Sequence, residues 1–158
     1  ENEECFDREL KAGHVTASAW LLNHDRKKAL LTHHRKLNQW MQLGGHFEKE
    51  DQDLLSAAIR EAREESGLFS IEALRTDLFD IDIHQFPASA KEPAHLHYDV
   101  RFLLCAIDPE ERISQSEESN RLTWIGIEDE EVLATDPSVA RLIFKWKHEF
   151  SESGKSSH

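Results

Sequence analysis

The chain has 158 residues, 39 % of them aliphatic or aromatic and 32 % charged, with a formal net charge of −12. This composition is ordinary for a soluble globular protein, and the length suits one domain with its own core. No apolar run approaches the roughly 18 residues that span a bilayer, and the acidic balance argues against broad duplex binding, which depends on Lys and Arg neutralising phosphates.

Val15 to Leu22 is rich in β-branched, small and apolar residues and reads as a strand. After the turn-like Asn23-His24-Asp25, a second strand begins at Ala29 to Leu31. In His33-His34-Arg35-Lys36, Arg35 and Lys36 can attract phosphate, or the stretch is simply a basic loop. Trp40 to Leu43 is a short strand leading into the glycine pair Gly44-Gly45, with Trp40 expected to pack rather than to stack on a base. A polar loop follows, and then Leu54, Leu55, Ala58, Ile59, Ala62 and Ser66 keep the period of an amphipathic helix. Asp51 or Asp53 can cap its start, and Gly67 is placed to end it. Leu78 to Phe86 alternates, with Phe79, Ile81 and Ile83 on one side and Asp80, Asp82 and His84 on the other, as in a half-buried strand with a polar face. Pro87 and Pro93 bracket a loop. His95 to Ile107 is a longer strand, fully apolar from Phe102, which places it in the middle of a sheet. Leu122 to Ile127 is a further strand and Glu128 to Leu133 a short helix. Pro137 opens the last helix, with Asp136 as cap and Val139, Leu142, Ile143, Trp146 and Phe150 as its stripe. Residues 1–150 read as a single domain and 151–158 as a loose polar tail. Mixed strands with two main helices on opposite sides predict an α/β (α+β) fold, an α/β/α sandwich.

The chemistry concentrates in Arg60-Glu-Ala-Arg-Glu-Glu-Ser-Gly-Leu68. Glu61, Glu64 and Glu65 are helical neighbours. Three grouped anions call for a positive partner, and a divalent cation such as Mg²⁺ prefers oxygen ligands. Arg60, four residues before Glu64, can pair with it. A solvated Glu-rich helix face is the plainer alternative. Strand, glycine pair, loop, acidic helix and glycine stop together form a more specific arrangement.

From Gly45 to Leu68, about a sixth of the chain, the sequence resembles the signature of the Nudix hydrolases. The second half matches at every fixed position: Arg60, Glu61, Ala62, Glu64, Glu65, Gly67 and Leu68. The first half departs. Gly45 stands fifteen positions before Arg60 where the family pattern has fourteen, and Asp51 or Glu50 stands near the expected Glu, consistent with one inserted residue. The resemblance implies a mixed sheet between helices and a metal-dependent hydrolase. Its reaction would cleave the diphosphate linkage of a nucleoside diphosphate joined to another moiety. It implies Glu61, Glu64 and Glu65 as ligands of Mg²⁺ or Mn²⁺, with the backbone carbonyl of Gly44 or Gly45 as a further one. Glu61 or Glu64 would take the proton and Arg60 would orient the cluster, and a late loop, here Glu117 or Glu118, would lend another carboxylate. Two alternatives on the same scaffold are a non-catalytic nucleotide or sugar-nucleotide sensor and an isoprenoid-diphosphate isomerase, which normally needs a catalytic Cys.

A second polar stretch is His95-Leu-His97-Tyr-Asp99. On a strand His95, His97, Asp99 and Arg101 share one face and Leu96, Tyr98, Val100 and Phe102 the other. With Arg35, the residues His95, His97 and Asp99 are the candidate substrate contacts. Two His and an Asp also suit Zn²⁺ or Mn²⁺ as well as Mg²⁺, or the face is solvated. Asp82 and His84 join this wall if their strand pairs with it. Cys5 and Cys105 make no disulfide framework, Cys105 being expected to pack as a small hydrophobe. The acidic start is unlike a secretory leader, and a reducing cytoplasm is the expected compartment. The expected partner is a small nucleotide or other diphosphate, not duplex nucleic acid or a membrane, with a homodimer as an option.

Overall fold

A computed structural model describes residues 3–6, 10, 13–34, 38–88, 93–114, 121–126 and 136–151. Its strands are β1 (Gly13–Leu22), β2 (Lys28–His34), β3 (Gln39–Met41), β4 (Leu43–His46), β5 (Ile71–Ala73), β6 (Asp80–Phe86), β7 (His95–Ala106) and β8 (Leu122–Gly126). Its helices are α1 (Leu54–Ser66) and α2 (Pro137–Ser151), preceded by a 3₁₀ turn at Glu3–Phe6. The short helix expected at Glu128 to Leu133 lies outside the described residues, as do Arg35, Lys36, Glu117 and Glu118. No helix among the described residues is long and apolar enough to cross a membrane.

The described strands form one mixed sheet in the order β3-β2-β1-β7-β5, with β4 on β1, β6 on β7 and β8 on β2. β1 and β7 run parallel from Gly13↔Leu96 to Leu22↔Cys105, and every other pairing is antiparallel. Because side chains alternate across a strand, β1 feeds two cores. Ala17, Ala19 and Leu21 join Leu30, Leu43, Phe102 and Leu104 beneath Ala57, Ala58 and Ala62 of α1. Trp20 and Leu22 join Leu31, Leu103 and Ile125 beneath Val139, Leu142, Ile143 and Trp146 of α2. This is the α/β/α sandwich, and it explains why β7 is apolar on both faces beyond Phe102. Asp136 caps α2 as expected, its carboxylate accepting the Ser138 N–H at 2.7 Å.

Two expectations are corrected. The short strand before the glycines is two strands broken at Gln42, and Gly44 and Gly45 lie inside β4, paired with Ser18 and Ala17. The break lets the buried Gln42 side chain turn to the Asp99 carboxylate at 3.0 Å. In β6 the polar face is the inward one. Asp80 is 5 % exposed, whereas Ile81 and Ile83 are 54 % and 59 % exposed.

Cations cause this inversion. Arg101, 1 % exposed, reaches Asp99 at 2.8 Å, Asp80 at 3.1 Å and Asp82 at 3.2 Å. From α2, Arg141 pairs with Asp80 and Asp82, and Lys145 with Asp80. Burial alone would raise the Asp80 carboxyl, but hydrogen bonds from Arg141 and Lys145 outweigh it and hold the group below the usual carboxylate range. Asp82 is likewise lowered, burial being outweighed by Arg141 and Arg101.

Arg101→Met leaves two buried carboxylates without their shared cation. It is expected to cost about 3–5 kcal/mol in urea unfolding, and a loss below about 1 kcal/mol would contradict the account. The depressed carboxylates also set a direction with pH. Their contribution is complete above about pH 4, the unfolded value, and is lost as pH falls through the lower folded values. Urea midpoints should therefore drop on acidification in the wild type and less in Asp80→Asn.

Candidate active site: the acidic helix and the strand wall

The helix α1 begins where Asp53 caps it, accepting the Ser56 N–H at 2.7 Å while the Ser56 hydroxyl accepts the Asp53 N–H at 3.0 Å. It ends at Gly67 in the left-handed conformation, φ 73°, where a Cβ would also collide with the Ser114 hydroxyl. Asp51 is therefore released from capping. Its carboxylate instead receives the Arg60 Nε at 3.0 Å and Nη2 at 2.9 Å.

The remaining Arg60 donors are also engaged: Nη2 with the His46 carbonyl at 2.8 Å, and Nη1 with Glu61 at 3.0 Å and Glu64 at 3.3 Å. The expected Arg60–Glu64 pair is present, but the bidentate bond to Asp51 is the stronger geometry. Arg60 hydrogen bonds hold the Asp51 carboxyl below its ordinary value, and the bond to Asp51 raises the Arg60 guanidinium in turn. Glu61 moves the other way: burial raises its carboxyl despite Arg60 beside it.

The two glycines divide the work of β4. The Cα of Gly45 lies against the Glu61 carboxylate, where any Cβ would collide. Gly44, with φ 155°, faces the Ser18 hydroxyl and donates its N–H to Glu65 at 2.9 Å. Glu64 is the open member, its side chain 59 % exposed against 15 % for Glu61. One guanidinium thus serves Asp51, Glu61 and Glu64 beside Glu65, so the group keeps excess negative charge. An all-oxygen donor set of this kind fits a hard divalent cation. Of this group only Arg60 and Glu64 border an open cavity of about 660 Å³, lined also by Ser56, Ile59, Arg63 and Phe69 on the outer side of the helix.

The second polar stretch stands on the other face of the sheet. Thr16 and Ser18 share the pleat of Trp20, on the α2 side, and both donate to Asp99, at 3.0 and 2.6 Å. With Gln42 and Arg101 also bonded to it, Asp99 is 1 % exposed and engaged wholly within the protein. β6 does pair with β7, setting Asp82 opposite Asp99 and His84 opposite His97.

Around His97 the rings gather closely. His14 lies 4.6 Å away between centroids, His95 4.9 Å, His46 5.5 Å and His84 5.6 Å, with Phe86 stacked at 4.2 Å. Of these rings, the strand patterns in the sequence mark His95, His97 and His84 but not His14 or His46. The alternation of His14, Thr16 and Ser18 with Val15, Ala17 and Ala19 was a usable signal that β1 has a polar end on one face. Trp40 packs at the edge of the α2-side core, as expected. Cys105, 3 % exposed, is buried, and burial pushes its thiol up.

Comparison with known proteins follows the same lines. No curated protein sequence matches the chain. Among solved structures, a C. elegans Ap4A hydrolase in a binary complex superposes with a TM-score of 0.60 at 19 % identity, covering 87 % of this chain and 98 % of that one. The Nudix hydrolase RenU from M. smegmatis gives 0.59 at 18 % identity over 92 % and 89 %. The NUDIX domain of Shewanella oneidensis NrtR, complexed with ADP ribose, gives 0.57 at 20 % identity over 90 % and 92 %. These likenesses support the fold. The model of the NUDIX domain matches residues 12–147, nearly all of the described sheet and both helices, and the chain belongs to the Nudix hydrolase family.

Proposed function

We propose that the chain hydrolyses the diphosphate linkage of a nucleoside diphosphate joined to another moiety, with Mg²⁺ or Mn²⁺ at the acidic helix. The observation that carries this reading is the Arg60 knot, which clusters Glu61 and Glu64 beside Glu65. A cation held by Glu61, Glu64 and Glu65, with Gly45 backbone nearby, would neutralise phosphate oxygens and make an attacking water more acidic.

The chain's own groups do the rest. Arg60 fixes the Glu61 carboxylate, and Gly45 leaves it room. Glu61 or Glu64 takes the proton of the attacking water; Glu64 is the more exposed of the two. Asp99, saturated by Thr16, Ser18, Gln42 and Arg101, positions the strand wall rather than touching substrate. Arg35, by its charge, would attract a substrate phosphate. The two free cysteines fit a reducing compartment such as the cytoplasm.

The test is the double variant Glu64→Gln/Glu65→Gln, assayed with Mg²⁺ against a panel that includes dinucleoside polyphosphates, ADP-ribose and nucleoside triphosphates. A loss of about 100-fold or more in kcat/KM is expected, within the range for removed acid–base and electrostatic groups. Undiminished turnover by the folded variant would sink the mechanism, and tight nucleotide binding with no wild-type turnover would point to a ligand sensor.

Gly45→Ala tests the packing. The new methyl must displace the Glu61 carboxylate, and a misplacement of roughly 1 Å costs on the order of 100-fold in rate. Activity should fall by that order while thermal stability changes little; wild-type kcat/KM in the variant would remove Glu61 from the site.

A further inference from the structure

We propose that His14, His95 and His97 form a second metal site, for a borderline transition ion such as Zn²⁺, on the sheet face opposite the acidic helix. Each imidazole offers one nitrogen, and the three nitrogens lie within 4.8 Å of one another. Zn–N bonds of 2.0–2.1 Å in a tetrahedral site separate ligand nitrogens by roughly 3.3 Å, so only small ring rotations are needed to close the set. His95 Nε2 and His97 Nε2 are already 3.0 Å apart.

Protonation and burial favour ligation over a chance stack. His95 Nδ1 lies 2.9 Å from the Pro93 carbonyl, which fixes a hydrogen on Nδ1 and leaves the lone pair on Nε2, facing His97. A backbone carbonyl behind a ligand imidazole is the usual outer support of a metal-bound histidine. His14 and His97 are 1 % and 7 % exposed, and both come from the paired strands β1 and β7, at register partners His14↔His97.

The donors are all imidazole nitrogen, which selects Zn²⁺, Co²⁺, Ni²⁺ or Cu²⁺ over Mg²⁺. Three protein ligands leave a position for water or a phosphate oxygen, as in open zinc sites. The His46 ring lies 4.9 Å from that of His14. The same residue's carbonyl binds Arg60, so one residue touches both clusters.

The experiment uses the full chain, stripped with chelator and titrated with Co²⁺ alone and then with Zn²⁺ in competition. One tightly bound Co²⁺ per chain with visible absorption of four- or five-coordinate nitrogen ligation is expected, displaced by Zn²⁺ and not by excess Mg²⁺. The signal should persist in Glu64→Gln/Glu65→Gln and weaken by about 100-fold or more in His95→Gln/His97→Gln. Should the latter fail to fold, imidazole ¹⁵N resonances of the wild-type chain titrated with Zn²⁺ decide: shifts at His14, His95 and His97 support the site. Co²⁺ binding lost with the glutamates, retained without the two histidines, or absent from the wild type overturns it.

Discussion

The arrangement of the acidic helix depends on one guanidinium. Arg60 has five N–H donors in a rigid fork, and five acceptors meet them: two oxygens of Asp51, one each of Glu61 and Glu64, and the carbonyl of His46. Those acceptors come from β4, from the loop after it and from α1 itself. Without Arg60 the carboxylates would repel one another and the loop would have no fixed path across the helix. With it, β4 is fastened to α1, and Gly45 can approach so closely that the Glu61 carboxylate lies on its Cα.

That bond also accounts for the irregular half of the motif. The loop from Gly45 to Arg60 is one residue longer than the family pattern, and no Glu occupies the expected place. Asp51 is the carboxylate that closes on Arg60. A shorter side chain on a longer loop reaches the same fork, so the departure changes the route of the chain while a carboxylate–guanidinium pair still anchors it. Glu48 N–H bonds the same Asp51 at 2.8 Å, so the loop folds back on its own carboxylate.

Local signals were legible in the sequence and long-range ones were not. The stripe of α1, its Gly67 stop and the Asp136 cap of α2 follow from residues within a few positions, and the apolar run after Phe102 announced a central strand. The resemblance from Gly45 to Leu68 then gave the family. The pairing of β1 with β7, more than eighty residues apart, leaves no local trace, yet it brings His14 to His97 and Thr16 to Asp99. The alternation of β6 is legible in the sequence, but its sense is not. Period two says that Asp80, Asp82 and His84 share a face; only Arg101, Arg141 and Lys145 decide that this face turns inward and Ile81 and Ile83 outward.

The sheet then separates two kinds of donor. On the α1 face the uncommitted donors are the helix carboxylates; on the α2 face they are imidazoles, because Asp80, Asp82 and Asp99 there are already held by Arg101, Arg141 and Lys145. Intrinsic affinity for first-row ions rises from Mn²⁺ to Cu²⁺ at sites of either kind, so carboxylates alone would not exclude a trace transition ion from the site proposed for Mg²⁺. A three-imidazole site close by competes for that ion on better terms, since neutral nitrogen ligands match it and oxygen ligands match the hard cation. Placing the two sets on opposite faces, joined through His46 and the Gly44–Gly45 strand, keeps their donors apart. On the two proposed readings, the acidic cluster would then take whichever hard cation is abundant, while the histidines would retain the scarce one.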